Sequence, residues 1–101
     1  MKPTKKEIKD ILEHSHSIIY KREEEEGARK YGPMKEGMDR ASKIASAATG
    51  KDITPKDMYI CLVALKLSRE SYNKKYDNLL DAIGYLAGLY EHYKEDYDKT
   101  K

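Results

Sequence analysis

Two carboxylates four residues apart, Asp77 and Asp81, stand in the otherwise apolar run Asp77-Asn78-Leu79-Leu80-Asp81-Ala82-Ile83-Gly84-Tyr85-Leu86. Helical spacing of four places both on one face. Charge on a core-facing helix costs on the order of several kcal/mol unless it is paired or used, so these acids need partners. Lys66 and Arg69, three apart near the end of the upstream apolar run Leu62-Val63-Ala64-Leu65-Lys66-Leu67-Ser68-Arg69-Glu70, are the nearest bases. A helical hairpin would bring all four together. They would then form either an ion-pair network that stabilises the hairpin or a charged-ligand site. In the second case Asp77 and Asp81 would hold Mg²⁺, which takes carboxylate oxygens while keeping several waters. Lys66 and Arg69 would hold phosphate, the guanidinium through a bidentate fork. Both readings can hold at once, because an empty ligand site often relaxes into ion pairs.

Around this cluster Tyr85, four residues after Asp81, offers an aromatic wall for a planar base, and Gly84 and Gly88 offer close backbone approach. The same glycines could instead let two helices cross tightly, within the chain or between subunits. Arg29-Lys30-Tyr31-Gly32 places two cations and an aromatic beside a glycine, which suits a phosphate or base clamp built from Arg29 and Tyr31, or equally a solvated loop. The run Glu23 to Glu26 splays its carboxylates around a helix and reads as a solvated face. His14 and His16 diverge on a helix, His92 stands alone, and one cysteine cannot complete a zinc set. Cys61, inside an apolar run, is expected to be a small buried hydrophobe rather than a nucleophile, since no neighbour would lower its pKa.

Four helices can position these groups. Thr4 and Glu7 form a capping box, followed by Ile8, Ile11, Leu12, Ser15, Ile18 and Ile19 at helical spacing, with the helix running to about Glu26 and stopping at Gly27. Gly32-Pro33 turns the chain, with Pro33 as the first residue of a second helix carrying Met34, Met38, Ala41, Ala45 and Ala48 up to Gly50. Thr54-Pro55-Lys56-Asp57 starts a third, apolar almost all round from Met58 to Leu67, the pattern of a central helix packed on several sides. Asn73 to Tyr76 makes a turn, Asp77 caps the fourth helix, and the tail from Lys94 to Lys101 is expected to fray beyond an ordered part of about residues 5 to 93. No segment alternates with period two, so the expectation is a single all-α domain over residues 1–101, a four-helix bundle.

The chain has 101 residues, 20 basic against 18 acidic, and a net charge of +2, too balanced for the basic footprint that duplex nucleic acid requires. So short a chain buries a modest fraction of its surface, which makes self-association into a homo-oligomer an expectation. Nine tyrosines and no Phe or Trp mean that every aromatic surface also carries a hydroxyl that wants a partner. The longest apolar run, around Tyr59 to Leu65, falls short of the roughly 18 to 20 residues of a membrane span, and nothing reads as a signal peptide. A soluble cytoplasmic protein with no membrane partner is expected.

Taken in order, Arg29-Lys30-Tyr31-Gly32-Pro33, Ile53-Thr54-Pro55-Lys56-Asp57-Met58, Lys66-Leu67-Ser68-Arg69 and Asp77-Asn78-Leu79-Leu80-Asp81-Ala82-Ile83-Gly84-Tyr85 resemble a family of small, mostly phage-encoded all-α proteins of unassigned function. That family is in turn distantly similar to the MazG-type nucleoside triphosphate pyrophosphatases, and the resemblance spans roughly residues 8 to 93. The MazG resemblance implies Mg²⁺ held by Glu-Glu-x-x-Glu on one helix and Glu-x-x-Asp on the next. Here the second motif survives only as Asn78-x-x-Asp81, and the first falls where the chain has Lys66, Arg69 and Glu70. Cations in place of metal-binding carboxylates undercut two-metal hydrolysis.

The expectation is therefore a protein that binds a nucleotide or cyclic nucleotide without turnover, a sponge against host nucleotide-signalling defence in the host cytoplasm, with no cofactor required. Its expected ligand residues are Arg29, Tyr31, Lys66, Arg69, Asp77, Asp81 and Tyr85. The alternatives are a Mg²⁺-dependent pyrophosphohydrolase using Asp77 and Asp81 as metal ligands, and an oligomeric scaffold whose charged cluster is structural.

Overall fold

The computed structural model describes residues 2–21 and 34–100. Among these residues it holds five helices and no strand: α1 (Lys5–Lys21), α2 (Met34–Thr49), α3 (Pro55–Tyr72), α4 (Tyr76–His92) and α5 (Lys94–Thr100). The expected continuation of the first helix to Glu26, its stop at Gly27 and the role of Pro33 lie outside the described residues.

The helix starts follow their local chemistry. Thr4 Oγ1 accepts from the Glu7 amide at 3.1 Å and donates to Glu7 Oε1 at 3.3 Å. At α3 the box is reciprocal: the Asp57 amide donates to Thr54 Oγ1 at 3.2 Å and the Thr54 amide to Asp57 Oδ2 at 3.0 Å, with Pro55 leading the helix. Between α2 and α3, Gly50 takes a φ of 70°, a conformation glycine adopts without steric cost. Ser46 Oγ then pins the connection, donating to the Ile53 carbonyl at 3.1 Å and accepting its amide at 2.9 Å.

The start of α4 departs from expectation. Asp77 does not cap it; Lys75 holds the cap position with no side-chain bond, and Asp77 is an exposed residue of the first turn. Capping comes instead across the hairpin, where Glu70 Oε1 accepts from the Lys75 amide at 2.8 Å and from Asn78 Nδ2 at 3.3 Å. A three-residue turn holds the end of α3 against the start of α4, so a carboxylate from the preceding helix reaches the amides that a local side chain would otherwise serve.

The hairpin of α3 and α4 is the most extensive pairing; α1 packs on α4, and α2 on α3 and α4. The central helix is therefore α4, which also meets α5, and not α3 as its all-round apolarity suggests. The buried apolar side chains are Met38, Tyr59, Leu80 and Ala82, joined by Ser15, Ser42 and Asn78. Ser15 Oγ donates to the Leu80 carbonyl at 2.9 Å and seats α1 on α4. His14 lies level with Tyr76, at a ring distance of 6.0 Å, so the first turns of α1 project past the beginning of α4. That overhang leaves Ile8 and Leu12 exposed, although they continue the stripe of the partly buried Ile11 and Ile18.

A further expectation is overturned. Cys61 is exposed, because α3 turns Tyr59, Lys66 and Glu70 inward and Cys61 lies on its other side. Beyond Tyr93 the chain continues as α5. The amides of Asp96 and Tyr97 both donate to the Tyr93 carbonyl and begin α5. Lys94 Nζ meets Asp98 Oδ2 at 2.6 Å, an i,i+4 pair, and the Tyr97 ring lies 5.8 Å from that of Tyr90.

Candidate functional site

The hairpin sorts the expected cluster into two places. Antiparallel packing sets Lys66 opposite Asp81, Nζ to Oδ2 at 2.8 Å, with the side chains 16% and 25% exposed. One turn further along, Glu70 faces Asn78. The four positions thus alternate across the hairpin as a cation on an acid and an acid on an amide, and each is satisfied. Behind Asp81, the cavity bounded by Ser15, Ile18, Met34, Leu80, Gly84 and Tyr85 has a volume of about 30 Å³. That space holds about one water. Tyr85, half-buried, lines it beneath α1 and α2.

Glycine serves the same packing. A Cβ at Gly88 would lie 2.7 Å from Met34 Sδ and 3.1 Å from Tyr59 Cε1. Its missing side chain lets Met34 of α2 and Tyr59 of α3 approach α4, so that close crossing lies within the chain.

Arg69 does not join Lys66. The two are three residues apart, about 60° around the helix at 3.6 residues per turn, and the carboxylate of Asp81 takes Lys66 alone. Arg69 instead lines a cleft of about 480 Å³ at the hairpin tip with Ser68, Tyr72, Asn73, Lys75 and Asn78. Among the described residues no carboxylate meets the Arg69 guanidinium or the Lys75 ammonium. Tyr72 is 95% exposed. Glu70, next to Arg69 in the chain, has one oxygen engaged by Lys75 N–H and Asn78. The cleft therefore offers two cations, an open aromatic face, a hydroxyl and two amides.

Of the residues expected from sequence, Lys66 and Asp81 meet each other, Arg69 opens into the tip cleft, and Asp77 is exposed. Arg29 and Tyr31 lie outside the described residues, as do Glu23 to Glu26. Among the described residues no group of three or more His, Cys, Asp or Glu is gathered to hold a metal ion. Tyr72, Asn73 and Lys75 went unrecognised as ligand candidates because the segment reads as turn chemistry. The signal that would have found Tyr72 and Asn73 is their position one helical turn after Arg69; Lys75 follows in the turn.

A second cluster also went unread. His92 is not isolated: its Nε2 lies 3.2 Å from Asp39 Oδ1, its Nδ1 lies 3.2 Å from the Tyr59 hydroxyl, and Tyr93 stacks on it at 4.9 Å. With Tyr59 only 1% exposed and the Asp39 carboxylate at the solvent edge, this cluster ties α2, α3 and α4 together. Beyond it, the Tyr93 hydroxyl accepts the Lys56 amide at 3.0 Å. Elsewhere the Thr54 cap, its backbone bond first and then its hydroxyl, holds the Asp57 carboxyl below its ordinary value of 3.8.

No helix among the described residues is long and apolar enough to cross a membrane. No curated protein and no solved structure matches this chain. A family model does match, over residues 10–93, and it takes in α2, α3, α4, the tip cleft and the Lys66–Asp81 pair: the chain belongs to the family described as a domain of unknown function, DUF6378.

Proposed function

We propose that the protein binds a nucleotide or a nucleotide second messenger at the tip of the α3–α4 hairpin and holds it without turnover. In this reading it is a phage-encoded sponge acting in the host cytoplasm, assembled as a homo-oligomer. The observation that carries the proposal is the tip cleft, where Arg69 and Lys75 have no carboxylate partner among the described residues and stand beside the open ring of Tyr72. Arg69 supplies a planar fork for phosphate oxygens and Lys75 a point charge. Tyr72 offers a stacking face for a base, an interaction worth about 1–3 kcal/mol. Asn73 and the free carbonyl of Asn78 can read base edges. A volume of about 480 Å³ lies within the range of small-molecule sites.

Turnover finds less support. The hydrolytic reading needs Asp77 and Asp81 as Mg²⁺ ligands, yet Asp81 already carries the Lys66 ammonium at 2.8 Å, at the place a metal would occupy. An ammonium there neutralises the acid without polarising a phosphoryl oxygen or activating water.

The test incubates the protein with Mg²⁺ and a panel of nucleoside triphosphates and cyclic oligonucleotides, removes the protein by filtration, and chromatographs the filtrate and the material released by heating the retained fraction. A nucleotide that leaves the filtrate and returns intact on heating is the expected result. Arg69→Ala should weaken its retention about 10- to 100-fold, the loss of a charge-assisted hydrogen bond, with helicity unchanged. Conversion to monophosphate and pyrophosphate would establish the enzyme instead, and an unchanged panel would leave the scaffold.

A further inference from the structure

The α3–α4 hairpin turns its two mid-helix charges inward and leaves part of its apolar surface outside. Between Met58 and Ser68 the only charged residue of α3 is Lys66, and between Asn78 and Tyr90 the only one of α4 is Asp81. Those two are turned toward each other and paired. Ile60 and Leu67, by contrast, are 50% and 51% exposed, and Leu86 is 53% exposed, with Ala64 and Leu79 exposed beside them. In a chain with 38% charged residues, a charge-free exposed face on two adjoining helices is not a solvated surface.

Helical geometry puts these residues on one side. Toward α4, α3 turns Tyr59, Lys66 and Glu70; Ile60 and Leu67 lie about a quarter turn round from them. On α4, Asn78, Asp81 and Gly88 meet α3, Gly88 also receives α2, and Leu80 receives α1, which leaves Leu79 and Leu86 on the remaining side. Since Lys66 lies level with Asp81 and Glu70 with Asn78, Leu67 falls level with Leu79 and Ile60 with Leu86. The face is thus two apolar layers separated by seven residues, about 10 Å of helix rise, with Ala64 as a shallow centre.

We infer that a second copy of this chain covers this face, two hairpins packing across a two-fold axis into a four-helix bundle with Ile60, Ala64, Leu67, Leu79 and Leu86 in its core. This rests on the homo-oligomer part of the function proposed above and is independent of the ligand. Three observations favour a second copy. The two layers are alike, so the face is complementary to itself under a two-fold operation. It carries no charge that a charged partner could recognise. Two helices, each about 10 Å wide, present at most roughly 500 Å² per copy over their full length of about 25 Å, so the pair buries up to about 1,000 Å², the size at which a specific interface begins. The chain also needs the contact: Met38, Tyr59, Leu80 and Ala82 are its only buried apolar side chains among the described residues.

Light scattering coupled to size exclusion, with circular dichroism on the same samples, tests the inference. The wild-type chain should run at a multiple of 11.7 kDa, twice that mass for the simple dimer. Leu67→Glu should run at the single-chain mass with its helicity retained, and Ile44→Glu, which alters an exposed residue of α2, should leave the assembly intact. A single-chain wild type at about 100 times the working concentration would overturn both the inference and the homo-oligomer. A wild-type assembly that survives Leu67→Glu would overturn this face alone. Should Leu67→Glu fail to fold, Leu67→Ala decides: at least a tenfold weaker self-association supports the face, and an unchanged one refutes it.

Discussion

Asp81→Asn separates a structural pair from a ligand group. The substitution keeps the shape of the side chain and removes its charge, leaving the Lys66 ammonium 2.8 Å from an amide. At that separation, and with the effective dielectric of about 20 that suits partly buried pairs, the lost attraction is roughly 6 kcal/mol before desolvation is counted. Most of it is cancelled by the cost of drawing both groups from water, and Lys66, at 16% exposure, can still swing its head partly outward. Breaking a buried pair costs about 3–5 kcal/mol and an exposed one about 0–1. This pair lies between them, so about 2 kcal/mol is expected, a fall of roughly 10 °C in Tm for a domain of this size. Urea denaturation followed by circular dichroism, at one fixed protein concentration, measures it. Adding Lys66→Met should recover most of the loss, since it removes the stranded ammonium while keeping its apolar stem. An Asp81→Asn protein as stable as wild type, or one that loses nucleotide while keeping full stability, would refute the structural role.

Other outcomes follow from individual contacts. Gly88→Ala places a Cβ 2.7 Å from Met34 Sδ and 3.1 Å from the buried Tyr59 ring. The thioether can yield and the ring cannot, so overpacking should outweigh the gain in helix propensity, with a net loss of about 1 kcal/mol by urea denaturation. Tyr59→Phe removes the hydroxyl that His92 Nδ1 meets and should cost about 1 kcal/mol, with the protection of α2 and α4 amides from hydrogen exchange reduced near Asp39 and His92. The Asp57 carboxyl sits below its ordinary value in the folded chain, so its contribution is present above that value and is lost as pH falls through the lower folded one. Acid titration should fray the first turn of α3 in wild type, while Asp57→Ala should show that turn already weakened at neutral pH.

Residue order by itself determined the helices and most of their ends, because those depend on neighbours within one turn. Thr54, Pro55 and Asp57 start α3 through contacts within three residues, and Gly50 ends α2 through its own backbone freedom. The pairing of Lys66 with Asp81 was also legible, since a hairpin with a short turn brings those positions together in any register that buries Leu80. Only the tertiary structure decided the rest. It parted Arg69 from Lys66, since a rotation of about 60° sends one cation to Asp81 and the other to the tip. It gave the capping of α4 to Glu70 rather than Asp77, and it joined His92 to Asp39 and Tyr59 across long stretches of chain. The apolarity of α3 is local information, but which part of it faces α4 and which faces outward is not. Helical periodicity marks a surface that must be covered, and only the packing of α1 and α2 on one side of the hairpin shows which surface is left open.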